Sequence, residues 1–511
     1  MKSLTAVKNV LFSFVNNLLN LLNGVVLSVI IARYLGPQNL GAFHLVTWTV
    51  SIALLFVNLG IVMSLKKHVA EYEGQNDRRS VAGVINFMIG IRIVAASVVT
   101  ALLIVFSGPI SNFFNLPDAQ RYFVWAAISI LPSALGEIFG ASLAGIQKYH
   151  YSMWINLVMT PLAFGLSLAV LLAGHGVIGL LMVTTFTSTI GFLANFWAAR
   201  RERLLDRSAR LDPKTRSGIT RFNLGVTAMN FLDAIVWQRS EVFFLGKFRP
   251  VQEVGFYSLA FGFTTTAVSF FASAISNVLI PIHSQAFGAK DHEGMGMIYR
   301  KSVQYLSLVS LPLAIGGAVL ADRIVLTLYG EQYLPAVTAM AILFLSSAGA
   351  RIGAGFASVM YSANLVHIKI YTALFWTAVN ITLDLLLIPK HGVMGAVIAN
   401  STTQLLGVIT GPFIIYYFFR FVFPLAIFMR VMASALVMGA VVWLFKGFFP
   451  GTGGLLALVA IGAVIYGVTV VLFRAVSPGD VDIFKRIGDR LPGFVRGKYQ
   501  TVMDFVSRAV A

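Results

Sequence analysis

Apolar blocks of twenty or more residues recur along this chain, from its first dozen residues almost to its end, with short polar connections between them. Each block is long enough to cross a hydrocarbon core about 30 Å thick as a helix. Within lipid a segment must satisfy its own backbone N–H and C=O groups, and the helix does so. Composition agrees, since 58% of the residues are hydrophobic and only 11% are charged. We read fourteen spans, at 9–35, 40–64, 80–107, 119–146, 151–173, 176–199, 219–246, 252–281, 297–321, 335–362, 367–388, 392–418, 425–446 and 454–474. The fold class expected is an all-α polytopic membrane protein. The first span has no small-residue cleavage site behind it and reads as a retained helix. No cysteine occurs, which excludes disulfides and thiolate metal sites.

The net charge of +18 does not point to nucleic acid, because of where it lies. With the N-terminus inside, the inner segments carry 28 of the 38 Lys and Arg residues, and the outer segments carry seven. That bias sets both termini in the cytoplasm. The basic stretch 200–216 is its largest contributor and reads as an orientation signal resting on anionic lipid. After Pro478, Ile483, Phe484, Ile487 and Leu491 share one side of a helix, with Lys485, Arg486 and Arg490 mostly elsewhere. This tail is expected to lie on the inner membrane surface, with a partner-binding helix as the alternative.

The chain repeats itself. With an offset of 214, Asn9 falls on Asn223, Ser13 on Thr227, Asn16 on Asn230 and Gly41 on Gly255; with an offset of 216, His175 falls on His391. Spans one to six therefore recur as spans seven to twelve, and thirteen and fourteen are extra. The expected organisation is an N-lobe at 1–199, a basic cytoplasmic linker at 200–218, a C-lobe at 219–418, two added spans at 419–476 and an amphipathic tail at 477–511. A repeat of six spans keeps its orientation, so the lobes are related by an axis along the membrane normal. Two such lobes enclosing a central space favour a transporter with alternating access.

Asparagines in the first span fit that space. At 100° per residue, Asn9, Ser13, Asn16, Asn20 and Asn23 fall near one line, and the seventh span repeats it with Asn223, Thr227, Asn230, Asp233, Trp237 and Glu241. An amide costs about 2–7 kcal/mol in hydrocarbon without a partner. We read Asn16, Asn20, Asn23, Asn230 and Trp237 as lining a wet cavity, with hydrogen bonding between packed helices as the alternative.

Ionisable residues within spans are functional candidates by default. Arg351 lies near the middle of span ten on a face with Ser347, Gly355, Ser358 and Ser362, and Arg92 is equally deep in span three. A guanidinium in a poorly hydrated cavity suits phosphate, whose oxygens accept its planar donor fork. Lys66, Lys67, Arg300 and Lys301 at inner span ends would draw in an anionic headgroup. Glu137, Asp233 and Glu241 are candidates for coupling to Na+ or H+, with an ion pair to Arg92 or Arg351 as the alternative for Glu137. Arg239 reads as an interface anchor, and Asp384, close to the outer end of span eleven, as wet.

The segments "IARYLGPQNLGAFHLV", "NVLIPIHSQAFGAKD" and "LPLAIGGAVLADRIVLTLYGEQYLPAVTAMAIL" resemble the polysaccharide-exporter branch of the multidrug/oligosaccharidyl-lipid/polysaccharide exporter superfamily. That branch contains the O-antigen-type flippases, and the lipid II flippases are its relatives. The resemblance implies a protein that carries a polyprenyl-pyrophosphate-linked oligosaccharide from the cytoplasmic to the outer leaflet of a bacterial inner membrane. It implies arginines that hold the pyrophosphate, here Arg351 and Arg92, and a place for the lipid tail at the last two spans. It implies membrane lipid and other polysaccharide-assembly proteins as surroundings, with the chain acting as a monomer. The lipid II flippases carry essential arginines on the first span, where this chain has asparagines until Arg33. That departure counts against lipid II as the substrate.

Two rival functions remain in view. A cation-coupled multidrug exporter of the same superfamily would use Asp233, Glu241 and Glu137 to bind cationic drugs. A membrane enzyme acting on lipid-linked sugar would need acids and bases in a sizeable outer loop. The outer loops here are short, the one at 108–118 holding Asp118 as its acid. No catalytic site, cofactor motif or metal-ligand cluster is legible.

Overall fold

The computed structural model describes the chain except residues 1, 117–118, 238–239, 364, 489–495, 498, 501–502, 505–506 and 508–511. It describes the backbone alone at 2–23, 228–230, 232–237, 271, 274, 277, 366, 483–484 and 486–488. Among the described residues the chain is helical, with no β-strand, as the all-α class requires.

In chain order the helices are α1 (Lys2–Asn58), α2 (Ile61–Gly74), α3 (Arg78–Val105), α4 (Ser107–Phe113), α5 (Gln120–Ile128), α6 (Ile130–Gly145), α7 (Tyr149–Leu172), α8 (Gly176–Arg201), α9 (Pro213–Trp237) and α10 (Ser240–Phe248). They continue with α11 (Val251–Gly288), α12 (His292–Val319), α13 (Ala321–Ile324), α14 (Ala336–Ile352), α15 (Ala354–Ser362), α16 (Val366–His391), α17 (Val393–Phe419), α18 (Leu425–Phe445), α19 (Gly451–Leu472) and α20 (Pro478–Gly488). Eleven candidate spans, each long and apolar enough to cross a membrane, are found among the described residues. Spans one and two run on as α1, kinked where Gly36 takes φ 70° before Pro37, a conformation that glycine adopts without a Cβ clash. Spans seven and eight are not among the eleven, and both contain residues outside the described ones.

The chain divides into two compact units, residues 1–259 with 381–396, and residues 260–380 with 397–511. In the first, α7 packs on α1 and α8, and α6 packs on α2, α3 and α8. Spacing explains the core: Ile61, Leu65 and Val69 of α2 and Val81, Val84, Ile85 and Met88 of α3 recur every three or four residues on one face. Val94, Val98, Leu102 and Val105, on the other side of α3, are apolar yet exposed. A helix apolar all round suits a bundle bathed in lipid. Asp77 caps α3 by accepting from the Ser80 N–H at 3.0 Å, and Asp212 caps α9 by accepting from the Thr215 N–H at 2.9 Å.

The repeat has a local signature inside this unit. A Cβ on Gly41 would strike the Val251 carbonyl, and a Cβ on Gly255 would strike the Pro37 carbonyl. Each of those positions is the other's counterpart under the offset of 214. The same fold of contact occurs twice in one interface, as it does about a two-fold axis.

The linker after α8 is irregular but held. Asn86 Nδ2 donates to the carbonyls of Asp206 at 2.7 Å and Ala209 at 3.1 Å. Glu202 accepts from the Tyr151 hydroxyl at 2.8 Å and pairs with Lys148 at 3.4 Å.

In the second unit α12 is the hub, packing on α14, α15 and α18, with α18 on α19. Its core joins Tyr299, Val303, Leu306 and Leu311 to Ile352, Phe356 and Val359 and to Val431 and Ala435. The chain after α19 is fastened back onto α12. Asp480, fully buried, accepts from Lys301 Nζ at 2.6 Å, the Tyr305 hydroxyl at 2.6 Å and Gln304 Nε2 at 3.1 Å. It also caps its own helix through the Ser477 N–H at 2.9 Å.

Candidate functional site

Arg92, Glu137, Arg351 and Glu241 can be built up from the helices that carry them. Arg92, on α3, is wholly buried, and its guanidinium pairs with Glu137 of α6. Its Nη1 also donates to the side chain and carbonyl of Asn58, at 3.3 and 3.4 Å, where α1 ends. Three helices are thus tied at one cation. The Glu137 side chain is 49% exposed, so the pair is buried on the arginine side only. Of the two readings of Glu137, the ion pair is the one this geometry matches. An anion binding at Nη2 of Arg92 would have to displace that carboxylate.

Arg351 is different. It lies in the last turn of α14, two residues before Gly353, which separates α14 from α15, and it is half-buried. Among the described residues no hydrogen bond or ion pair is recorded for it. The rest of its face is packed: Gly355 lies against Ser302 of α12, the Ser358 hydroxyl lies 3.1 Å from Nδ1 of the fully buried His283 of α11, and Ser362 lies 3.2 Å from Ser284. The sequence put polar residues on this face but not His283. A lone histidine after Pro281 carries no periodic signal.

Asp384 was read as wet, and here it is fully buried. Its Oδ2 accepts from the Ser240 hydroxyl at 2.7 Å, and its Oδ1 has no hydrogen-bond partner among the described residues. The neighbouring carboxyl is Glu241, 1% exposed, close enough to act on Asp384 electrostatically. Distance from a span's end measures depth along one helix. Burial depends on what packs beside it, and here that is α10. Two carboxyls in a dry setting repel unless a proton or a cation sits with them.

The inner-end cations fare unequally. Lys66 and Arg300 are exposed. Lys67 Nζ lies 4.2 Å over the Phe222 ring, and Lys301 is engaged by Asp480. In the seventh span, Asn223 is buried with Nδ2 3.4 Å from the Met88 sulfur, so this end of the stripe packs against α3. The side chains of Asn16, Asn20, Asn23, Asn230, Asp233 and Trp237, all of Arg239, and the side chains of Ile483, Phe484, Ile487 and Leu491 lie outside the described residues. No group of three or more His, Cys, Asp or Glu residues able to hold a metal occurs among the described residues.

A bundle of long apolar helices carrying buried charge and polar faces is the architecture of a multi-pass membrane transporter. The chain belongs to the family described as "Polysaccharide biosynthesis protein", whose model matches residues 30–338. This bears out the polysaccharide-exporter resemblance read from the sequence. Among its relatives, the succinoglycan biosynthesis transport protein ExoT of Rhizobium meliloti is 24% identical over 62% of this chain and 61% of its own length. The match therefore leaves more than a third of that relative unspanned. The "Probable lipid II flippase MurJ" of Thermotoga maritima is 29% identical over 38% of this chain and 41% of its own. Among solved structures, a lipid II flippase MurJ in an inward closed conformation has a TM-score of 0.74 at 15% identity, covering 91% of this chain and 98% of that one. An inward-facing multidrug transporter of the MATE family has a TM-score of 0.68 at 14% identity, covering 79% and 95%. Flippase and drug exporter share this fold, so the fold by itself does not divide them.

Proposed function

We propose that this protein carries a polyprenyl-(pyro)phosphate-linked oligosaccharide from the cytoplasmic to the outer leaflet of a bacterial inner membrane by alternating access, for cell-surface polysaccharide assembly. The observation that carries this reading is Arg351: a half-buried guanidinium near the middle of a candidate span, with no protein partner among the described residues. A charge left so is costly unless a ligand completes it, and a guanidinium fork is matched by phosphate. In this reading Arg351 holds the phosphate, and Arg92 is held back by Glu137 and shapes the cavity wall. Lys66, Lys67 and Arg300 gather the headgroup at the inner face, and Asn16, Asn20, Asn23, Asn230 and Trp237 line the path of the sugar. A cation-binding drug exporter would gain nothing from an uncompensated arginine.

Transport against a gradient needs a driving ion. Glu241 and Asp384 are neighbouring buried carboxyls and the candidates for taking up a proton or Na+, with Asp233 as a further acid on the same span as Glu241. The chain works as a monomer, with both termini in the cytoplasm, alongside other polysaccharide-assembly proteins.

The test is melting of the purified protein in detergent, titrated with polyprenyl pyrophosphate, polyprenyl monophosphate and a cationic drug. A ligand at 100 times its Kd stabilises the folded state by about 2.7 kcal/mol, which a melting curve resolves. A shift with the phosphorylated carriers that Arg351→Ala abolishes supports the reading. A shift with the drug alone overturns it.

A further inference from the structure

At the start of α9, Pro213, Arg216, Ser217, Thr220, Arg221 and Leu224, with Leu211 of the preceding linker, line an open hollow of about 490 Å³ at the protein surface. We propose that this cavity binds the phosphate headgroup of an anionic glycerophospholipid, separately from the substrate path. Its leaflet, the inner one, rests on the orientation proposed above.

Three features argue for a built site and not a diffuse basic surface. The first is fixation. The Arg216 guanidinium lies 4.7 Å over the Phe87 ring of α3, which sets one cation in place. Leu211 packs on Gly83 of α3, and the linker that carries it is held by the two hydrogen bonds from Asn86. The second is the donor set. Arg221, for which no side-chain partner is recorded among the described residues, stands five residues from Arg216, with two hydroxyl-bearing residues between them. Arg216 and Arg221, about 140° apart around the helix, flank Ser217 and Thr220, so the hollow offers guanidinium and hydroxyl donors that match a phosphodiester with its glycerol hydroxyls.

The third is the gradient of polarity along the helix. From Arg216 the face runs through Thr220 and Arg221 to Leu224, which is 64% exposed. A lipid offers the same order, phosphate outside and acyl carbons within. The volume falls within the range of small-molecule sites, about 300–1,000 Å³. It accommodates a phosphoglycerol headgroup.

The experiment is a titration of the delipidated full chain with short-chain phosphatidylglycerol, phosphatidylcholine, polyprenyl monophosphate and inorganic phosphate, read by melting temperature. Wild type should be stabilised by phosphatidylglycerol and not by phosphatidylcholine. Arg221→Ala should weaken that apparent affinity about tenfold or more, the loss expected for a charge-assisted contact. Lys214→Ala removes the same charge from the same turn without touching the cavity and should bind as wild type does. Ser217→Leu fills the cavity with every charge kept and should abolish the effect. Melting without lipid checks that each variant folds. Equal losses in Arg221→Ala and Lys214→Ala, or wild-type binding by Ser217→Leu, would mean diffuse attraction and sink the proposal. So would a response to polyprenyl monophosphate alone, which would place this face on the substrate path. A response to polyprenyl carriers governed by Arg351, with phosphatidylglycerol governed by Arg221, would support both readings separately.

Discussion

Gly41 and Gly255 stand 214 residues apart in sequence and within one contact of each other in space: a Cβ built on either lies 3.1 Å from the other's backbone nitrogen. The two helices approach backbone to backbone here, and the obstructing atoms are carbonyls of Val251 and Pro37, which cannot rotate away. Repeat-related positions meeting reciprocally explain why the glycine is kept at both.

Gly41→Ala and Gly255→Ala should each lower stability by about 1–3 kcal/mol, the usual cost of overpacking. Gly262→Ala, on the same α11 but with nothing within 4 Å of its added Cβ, should be neutral or stabilising by up to about 1 kcal/mol. Melting temperatures of the three variants check this. Equal effects at all three positions would mean that helix propensity and not close approach governs them.

The Arg92–Glu137 pair predicts an asymmetry. Glu137→Ala strands a wholly buried guanidinium, for which loss of a partner costs about 3–5 kcal/mol at most. Arg92→Met keeps the volume and leaves behind a carboxylate that is half exposed, so it should cost less. The reverse order in denaturation would show that the carboxylate is the buried partner.

At Arg351, Arg351→Lys keeps the charge and loses the planar fork. It should weaken binding of a polyprenyl pyrophosphate about tenfold or more while leaving the melting temperature of the free protein near wild type. Full affinity in the lysine variant would reduce the role of Arg351 to field alone.

Asp480 ties the end of the added helices to α12, and its pH dependence has a definite sign. Burial by itself raises this carboxyl. The hydrogen bonds from Lys301, Tyr305 and Ser477 outweigh burial and hold it well below the usual carboxylate range. A depressed folded pKa means stability that is fully present above the unfolded value, 3.8, and lost as pH falls toward the folded one. The clamp should be constant between about pH 5 and 9 and loosen only in strong acid, whereas Asp480→Asn should expose the tail to protease at neutral pH. A tail freed in the wild type on passing from pH 8 to 6 would contradict this.

The acid pair gives the last prediction. Asp384→Asn should abolish any dependence of transport on Na+ or on the proton gradient while leaving carrier binding at Arg351 intact. Dependence surviving in that variant, with carrier binding unchanged, would remove Asp384 from ion coupling.

Much of this was legible without coordinates, because periodicity and length are properties of the chain. Uninterrupted apolar blocks fix helices, since lipid offers the backbone no partner, and an offset of 214 fixes a repeated unit. The sequence placed Arg92, Glu137 and Arg351 within apolar blocks for the same reason: position in a span is a count of residues along a helix. What it left open was which neighbour each meets. Glu137 had two arginines to choose from and is paired with Arg92, while Arg351 has no carboxylate partner among the described residues. Asp384 looked wet near a span's end and is buried against Ser240. Lys301 looked free for a headgroup and is held by a carboxylate 179 residues away. The sequence by itself determined the membrane class, the helices and the repeat. Only the tertiary structure decided which buried charges are compensated, because compensation is a matter of distances of a few ångströms between segments far apart in the chain.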